Sequence, residues 1–283
     1  MMKYLIVGKN GYIAQRFINS GINNITCTTS QLDDSENLYL DLKAPKEFDY
    51  SCIDKDTTII LLAAISSPDM CLNDYNNSYL VNVIGTRYFI EEALNNGGKV
   101  LFFSSDAVYG ETESVVTEKE SPNPLGSYAE MKVEIEQQFL GSEKFKVVRL
   151  SYVLSKNDKY MQYLTNCIKN NVAAEVFAPL DRSVIYIQDV VDAIVSISRN
   201  WEALKPSIIN LAGKNLCSRQ NIAEFINENF NNILKYKVIS PNSAFYKARP
   251  WVINMKSLYL DDLLGRPPTN IKTAIKLELD GVL

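Results

Sequence analysis

Tyr128 and Lys132 stand four residues apart in the run Ser127-Tyr128-Ala129-Glu130-Met131-Lys132. On a helix that spacing puts both side chains on one face, where both reach one reactant. The pair suits the protonation of an alkoxide left when a carbonyl accepts a hydride. A free phenol, with a pKa of about 10, releases its proton reluctantly at neutral pH. A neighbouring ammonium favours the phenolate and draws that pKa toward working pH. Upstream lies Ser104-Ser105-Asp106-Ala107-Val108-Tyr109-Gly110, from which the Ser105 hydroxyl is expected to hold the carbonyl oxygen in line with Tyr128. The chain has no histidine, so any acid or base is Tyr, Lys, Asp, Glu or Cys, and histidine triads and histidine metal sites are excluded.

A second constellation opens the chain: Gly8-Lys9-Asn10-Gly11-Tyr12-Ile13-Ala14. Gly8 permits a turn that a Cβ would obstruct. Gly11 lets the backbone approach a pyrophosphate, and a helix starting there offers free N–H groups to phosphate oxygens. Placed after an N-terminal strand, the pattern reads as a dinucleotide site. An acidic residue at the end of the second strand would bind the ribose of NAD. That strand runs out instead in Thr28-Thr29-Ser30, and Lys9 stands ready for a 2′-phosphate. The expected cofactor is therefore NADP(H) ahead of NAD(H), with the three hydroxyls on the adenosine ribose.

These residues need a scaffold that brings strand ends together. Lys3–Val7, Ile25–Thr28, Thr57–Ala64, Val100–Ser104 and Lys146–Leu150 are apolar runs that read as buried strands. Helices are predicted over Ile13–Asn19, Asn76–Asn95 and Ser127–Leu140. Beyond Leu150, Val184–Val195 reads as strand then helix, Ile208–Leu211 as a strand, and Ser218 as the cap of a helix over Gln220–Phe230. Continuous apolar strands alternating with helices imply an α/β fold with a doubly wound parallel sheet, a Rossmann domain. Ligands on such sheets sit beyond the carboxyl ends of the strands.

The composition excludes several other classes. With 46% hydrophobic and 22% charged residues, the chain of 283 residues can build its own core. A net charge of −4 without a basic stripe speaks against nucleic acid, and no apolar stretch approaches a membrane span. Five scattered cysteines without a CxxC pair fit reduced thiols, so a cytoplasmic protein without a structural metal is expected.

Taken together, the glycine turn, SSDAVYG and YAEMK resemble the extended short-chain dehydrogenase/reductase family, in its nucleotide-sugar epimerase, dehydratase and reductase branch. The resemblance runs through LDL at Leu40–Leu42, LAAIS at Leu62–Ser66, NVIGT at Asn82–Thr86 and RSVIYIQDVVDA at Arg182–Ala193. It continues through NLAG at Asn210–Gly213 and ARP at Ala248–Pro250. It implies that Asp41 and Leu42 cradle adenine, and that Leu62, Ala63, Ala64, Ser66, Asn82 and Ser104 line the cofactor. It further implies that Lys132 binds the nicotinamide ribose. Ser66, Ser105, Asp106, Ala107 and Tyr128 would meet the sugar, and Arg182 and Arg249 the diphosphate of a nucleoside diphosphate sugar. Residues 1–155 with about 184–205 would form the dinucleotide-binding domain, and about 156–183 with 206–283 a smaller, discontinuous C-terminal substrate-binding lobe. A homodimer through the two long helices is also implied.

Within the branch, the 4,6-dehydratases need an Asp-Glu pair after the serine. Asp106-Ala107 lacks the glutamate, which argues against dehydration, while Asp106 remains a candidate catalytic group. GKNG at residues 8–11 is similar to the 4-keto-6-deoxysugar reductases, such as the dTDP-4-dehydrorhamnose reductases, although SSDAVYG differs from their usual STDYVF. The expected activity is NAD(P)H-dependent reduction of the C4 keto group of a dTDP- or UDP-linked 4-keto-6-deoxyhexose, feeding surface polysaccharide synthesis. Two alternatives stay open: an NAD-dependent 4-epimerase using the same residues, and a non-catalytic sensor of NADP.

Overall fold

The computed structural model describes residues 2–283 and turns the apolar runs of the first half into strands of one sheet. In chain order these elements are β1 (Lys3–Val7), α1 (Tyr12–Ile18), β2 (Ile25–Thr29), β3 (Leu38–Tyr39), β4 (Thr57–Leu61), α2 (Pro68–Asn73), α3 (Tyr75–Tyr79) and α4 (Thr86–Asn95). They continue with β5 (Lys99–Ser105), β6 (Thr112–Val116), α5 (Ser127–Phe139) and β7 (Phe145–Leu150). The second half adds β8 (Val153–Leu154), α6 (Lys159–Lys169), β9 (Ala174–Phe177), β10 (Asp181–Arg182), β11 (Ile185–Tyr186), α7 (Ile187–Arg199) and β12 (Ile208–Leu211). It ends with β13 (Cys217–Ser218), α8 (Arg219–Asn229), β14 (Tyr236–Ile239), α9 (Ser243–Tyr246), β15 (Val252–Met255), α10 (Leu260–Leu264) and α11 (Ile271–Leu279).

Seven strands form the central sheet in the order β12-β7-β5-β4-β1-β2-β3, and every neighbouring pair is parallel. The expected doubly wound sheet is therefore observed. The chain winds outward from β1 to β3, then crosses and winds the other way from β4. Its switch point lies between β1 and β4, whose ends pair Val7 with Leu61. Side chains alternate across the sheet, so each face has its own core. Tyr4 and Ile6 pack with Phe17, Val190 and Ile194 on one side. Leu5 and Val7 pack with Phe89, Ile90 and Met131 on the other.

A second sheet has the order β13-β10-β15-β6. Two details differ from the division expected from the family. β12 falls within the residues expected in the smaller lobe, yet it is the edge strand of the central sheet. β6, from the first half, joins the second sheet. Hydrogen bonding explains both, since each strand completes the exposed edge of a sheet built elsewhere in the chain. The C-terminal segment is tied back by charge. Asp189 at the start of α7 accepts from Arg266 and from Thr269. Glu278 accepts from Arg16, Ser155 and the Lys156 amide.

The predicted helix over 76–95 is a single helical run from Tyr75 to Asn95 with a π-helical turn at Leu80–Gly85. Such turns mark places where a helix must re-aim its side chains. Here Asn82 is aimed at the loop after β4, exchanging hydrogen bonds with the Ile65 amide and carbonyl. Gly85 allows the helix to rest on the Leu42 carbonyl, which would lie 1.7 Å from an added Cβ. Gly85→Ala is expected to push these backbones apart and to destabilise the fold by about 1–3 kcal/mol, the usual cost of overpacking. A urea titration of both proteins checks it. Among the described residues no helix is long and apolar enough to cross a membrane.

Candidate active site

A cavity of about 500 Å³ is lined by Tyr12, Ser66, Ser105, Asp106, Ala107 and Tyr128. The second half of the chain contributes Arg182, Arg219, Phe245 and Arg249. The first group comes from the ends of β1, β4 and β5 and the start of α5. Strands of one parallel sheet finish on one edge, which is why residues far apart in sequence meet there.

Ser105 closes β5, and its Oγ accepts from the Ala107 amide at 3.2 Å and donates to Asp106 at 3.2 Å. Tyr128 and Lys132 share a face of α5, as their spacing predicts, with the Lys132 Nζ 5.8 Å from the Tyr128 ring centroid. The ammonium donates to the Phe103 carbonyl at 2.8 Å and lies 4.5 Å from the Phe102 ring centroid. Burial pushes the Tyr128 phenol upward, with the Cys71 thiol and Asp106 adding to the rise. Burial also pulls Lys132 down to about 8, against the raising influence of Glu136 and Cys71. The spacing predicts an ammonium that lowers the phenol, whereas in the folded protein both groups lose water and burial drives each toward its neutral form.

Asp106 is buried. It accepts from the Ser151 hydroxyl at 3.2 Å and lies 3.6 Å from the Arg182 Nε. Burial raises its carboxyl, opposed chiefly by Arg182. Two arginines expected at a diphosphate are engaged within the chain. Arg182 donates to the carbonyls of Asp181 (2.8 Å), Trp251 (3.3 Å) and Pro250 (2.5 Å). Arg249 forks onto Asp69 of α2 at 2.7 and 2.5 Å. Buried or half-buried guanidinium donors need acceptors, and main-chain carbonyls and a facing carboxylate lie nearest.

The glycine turn sits at the switch point. Gly8 adopts φ +94° and an added Cβ would meet Ala63 at 3.0 Å, so the turn and the loop after β4 touch backbone to backbone. Ala63 and Leu62 donate to the Val7 carbonyl. Gly11 caps α1 without a side-chain hydrogen bond, which leaves the first-turn amides to a ligand. The Ser104 hydroxyl is buried and has no partner among the described residues. Free amides at a helix start and an unpartnered hydroxyl near the end of β5 fit a dinucleotide.

Other expected cofactor contacts are turned elsewhere. Thr28 Oγ1 accepts from the Gly8 amide at 3.4 Å, and Thr29 Oγ1 from the Gln31 amide at 3.1 Å, while Ser30 is exposed. Asp41 accepts from the Lys43 amide at 2.8 Å, and Leu42 is buried. Asn10 is exposed and Ile13 half-buried at the helix start. Lys9, expected to await a phosphate, is ion-paired with Asp34. A carboxylate thus reaches the glycine turn from the loop between β2 and β3.

Three residues near the cavity escaped sequence reasoning. Cys71 is buried with its thiol on the Ile65 carbonyl at 3.2 Å, and nothing in a lone cysteine signals that place. Tyr152 lines the cavity and donates to Asp158 at 2.7 Å. Arg219, the first residue of α8, reaches the cavity only because β13 turns the chain back over it.

Comparison with known proteins gives a consistent picture. A family model described as the RmlD substrate binding domain matches residues 2–280. A dTDP-4-dehydrorhamnose reductase of Aggregatibacter actinomycetemcomitans is 26% identical over 247 residues, 84% of this chain and 82% of that protein. Among solved structures, a hypothetical dTDP-4-dehydrorhamnose reductase from Sulfolobus tokodaii superposes with a TM-score of 0.82 at 21% identity, over 96% of this chain and 99% of that one. A UDP-glucuronic acid 4-epimerase from Bacillus cereus, in complex with UDP-glucuronic acid and NAD, gives 0.79 at 17% identity, over 99% and 98%. At these identities the two structures establish the fold.

Proposed function

The chain belongs to the RmlD substrate binding domain family, and from that premise we propose that it is an oxidoreductase reducing the C4 keto group of a nucleoside diphosphate 4-keto-6-deoxyhexose. The observation that carries this reading is the meeting of Ser105, Tyr128 and Arg182 on one cavity, with Lys132 behind Tyr128. Gly8, Gly11, Tyr12 and Ile13 would hold the diphosphate of a nicotinamide dinucleotide, which when bound supplies the hydride, and Ser104 and Lys132 would contact it.

Ser105 and Tyr128 orient the carbonyl oxygen by hydrogen bonds. Because burial keeps the phenol protonated, Tyr128 is a donor at neutral pH and passes its proton to the oxygen as the alkoxide forms. The Lys132 ammonium, fixed by the Phe103 carbonyl, offsets the charge left on the phenolate. Each pKa unit by which it does so is worth about 1.4 kcal/mol. Asp106 holds Ser105 and Arg182 in place from the rear of the cavity.

The test is oxidation of NADPH and, separately, NADH with dTDP- and UDP-4-keto-6-deoxyhexoses. Oxidation stoichiometric with one sugar supports the reductase. A rearranged sugar without net oxidation moves the assignment to a 4-epimerase, a reading that draws on the same Ser-Tyr-Lys set and on the likeness to the B. cereus fold. Bound dinucleotide without turnover of any sugar favours the sensor.

Cofactor choice turns on Lys9 and Asp34. The sequence favours NADP(H), yet the ion pair offsets the charge that would attract a 2′-phosphate. Asp34→Asn releases Lys9 and removes a carboxylate, so kcat/KM for NADPH relative to NADH is expected to rise severalfold. An unchanged ratio would remove Lys9 from phosphate recognition. Tyr75, Leu80 and Ile84 expose apolar surface along the helical run 75–95, which supports a homodimer through that face. The reduced sugar suits surface polysaccharide synthesis in the cytoplasm.

A further inference from the structure

The segment from Asn242 to Pro250, which includes α9, runs along the cavity and gives it Phe245, Ala248, Arg249 and Pro250. It is thinly attached. No residue from Asn242 to Arg249 is buried, whereas Pro250 is, and Ile253 and Met255 of the following strand β15 are fully enclosed. Its helix α9 is a single turn, capped by the Asn242 side chain, which accepts from the Phe245 amide at 3.1 Å. A stretch with so few buried contacts opens locally at little cost while the rest of the fold stays closed. Toward the second half of the chain it is held by Tyr246, whose hydroxyl donates to the Pro179 carbonyl at 2.8 Å, and by Phe245, edge-on to Phe177 with ring centroids 5.2 Å apart.

Toward the first half it makes two contacts, and each falls beside a group of the active site. Arg249 forks onto Asp69, whose neighbours Ser66 and Pro68 line the cavity. The Asp69 side chain is 61% exposed, so water and salt compete for both partners and the pair breaks and re-forms readily. Ala248 lies against Gly126, where an added Cβ would meet its Cα and Cβ at 3.1 Å. Gly126 is the N-cap of α5, two residues before Tyr128. One exposed ion pair and one backbone contact thus hold this segment to the wall that carries the proton donor.

Taking the proposed function for what enters the cavity, we propose that residues 242–250 form a lid over it and that the Arg249–Asp69 ion pair is the latch. Latched, the lid keeps water from Ser105 and Tyr128 during transfer of hydride and proton. Unlatched, it swings from the buried Pro250 and lets reactant in and product out. Asp69 is then a positioning residue, acting only through Arg249.

Hydrogen exchange of the full-length protein tests the latch without any ligand. The amides of Phe245, Lys247 and Arg249 are hydrogen-bonded within the segment. In Asp69→Asn they should exchange about two- to fivefold faster, the span an exposed ion pair can hold. Amides of β15 should be unaffected, and Asp69→Glu, which keeps the carboxylate, should restore protection. Molar salt should speed the same amides in the wild type, which carries the test should the asparagine variant misfold. In stopped-flow binding of dTDP and UDP, Asp69→Asn should raise association and dissociation by a similar factor and leave Kd unchanged. Exchange in the segment that ignores both the substitution and salt overturns the latch, and so does equal loosening of β15. Binding with unchanged rates overturns the lid, and a changed Kd with unchanged exchange would make Asp69 a ligand contact instead. If the wild type binds neither nucleotide, the nucleotide-sugar reading falls, while exchange still decides the latch.

Discussion

Tyr128→Phe is expected to lower kcat by roughly 10²–10⁴-fold, the span that a positioned proton donor contributes. Dinucleotide affinity should stay near that of the wild type. Phenylalanine keeps the ring that packs in the cavity and removes only the hydroxyl. The loss would therefore report proton donation rather than shape. The buried Tyr128 stays protonated at neutral pH, and no histidine exists to replace it. Asp106 is the other acid on the cavity wall, but it is held by Ser105, Ser151 and Arg182. Steady-state oxidation of NADPH, with a fluorescence titration of the cofactor, separates turnover from binding. Survival of turnover would move the donor away from Tyr128.

Arg149→Met is expected to destabilise the protein by about 3–5 kcal/mol, because it strands a buried carboxylate. Arg149 on β7 and Glu136 on α5 are each 1% exposed and are joined by hydrogen bonds of 2.6, 3.1 and 3.3 Å. The guanidinium also lies 4.8 Å from the Tyr109 ring centroid, so the pair ties the helix of Tyr128 to the sheet and to the SSDAVYG segment. The double variant Glu136→Gln with Arg149→Met removes both charges and should recover part of the loss. Chemical denaturation of the single and double variants checks this. Equal stabilities for the wild type and Arg149→Met would mean that the ion pair does not tie α5 to the sheet. Glu136 also favours the charged form of Lys132, so the pair bears on the charge beside Tyr128 as well as on stability.

Much of this protein was legible before any coordinates. Apolar runs such as Thr57–Leu61, buried at every position, can only be strands covered on both faces, and their alternation with helices leads to a doubly wound sheet. Gly8 marks its own turn, since few other residues adopt its φ of +94°. The Tyr128–Lys132 spacing places both on one face of a helix whatever surrounds it. These are local properties, decided by side-chain periodicity and backbone sterics, and local properties can be read along a chain.

Partnership could not be read in that way. Lys9 meets Asp34, Arg249 meets Asp69 across 180 residues, and Arg182 is taken by the carbonyls of a loop nearly 70 residues away. Each looks in sequence like a free cation awaiting a phosphate. Arg219 looks like an ordinary first residue of a helix, yet it lines the cavity, stacked over the Tyr160 ring. The direction of the Tyr128 shift likewise depends on how much water the fold removes, which no spacing encodes. Charge and hydrogen bonding act between whatever groups the fold brings within a few ångströms. Residue types and spacing therefore determined the scaffold and the shared helix face of Tyr128 and Lys132, and only the tertiary structure decided which charged groups remain free to bind.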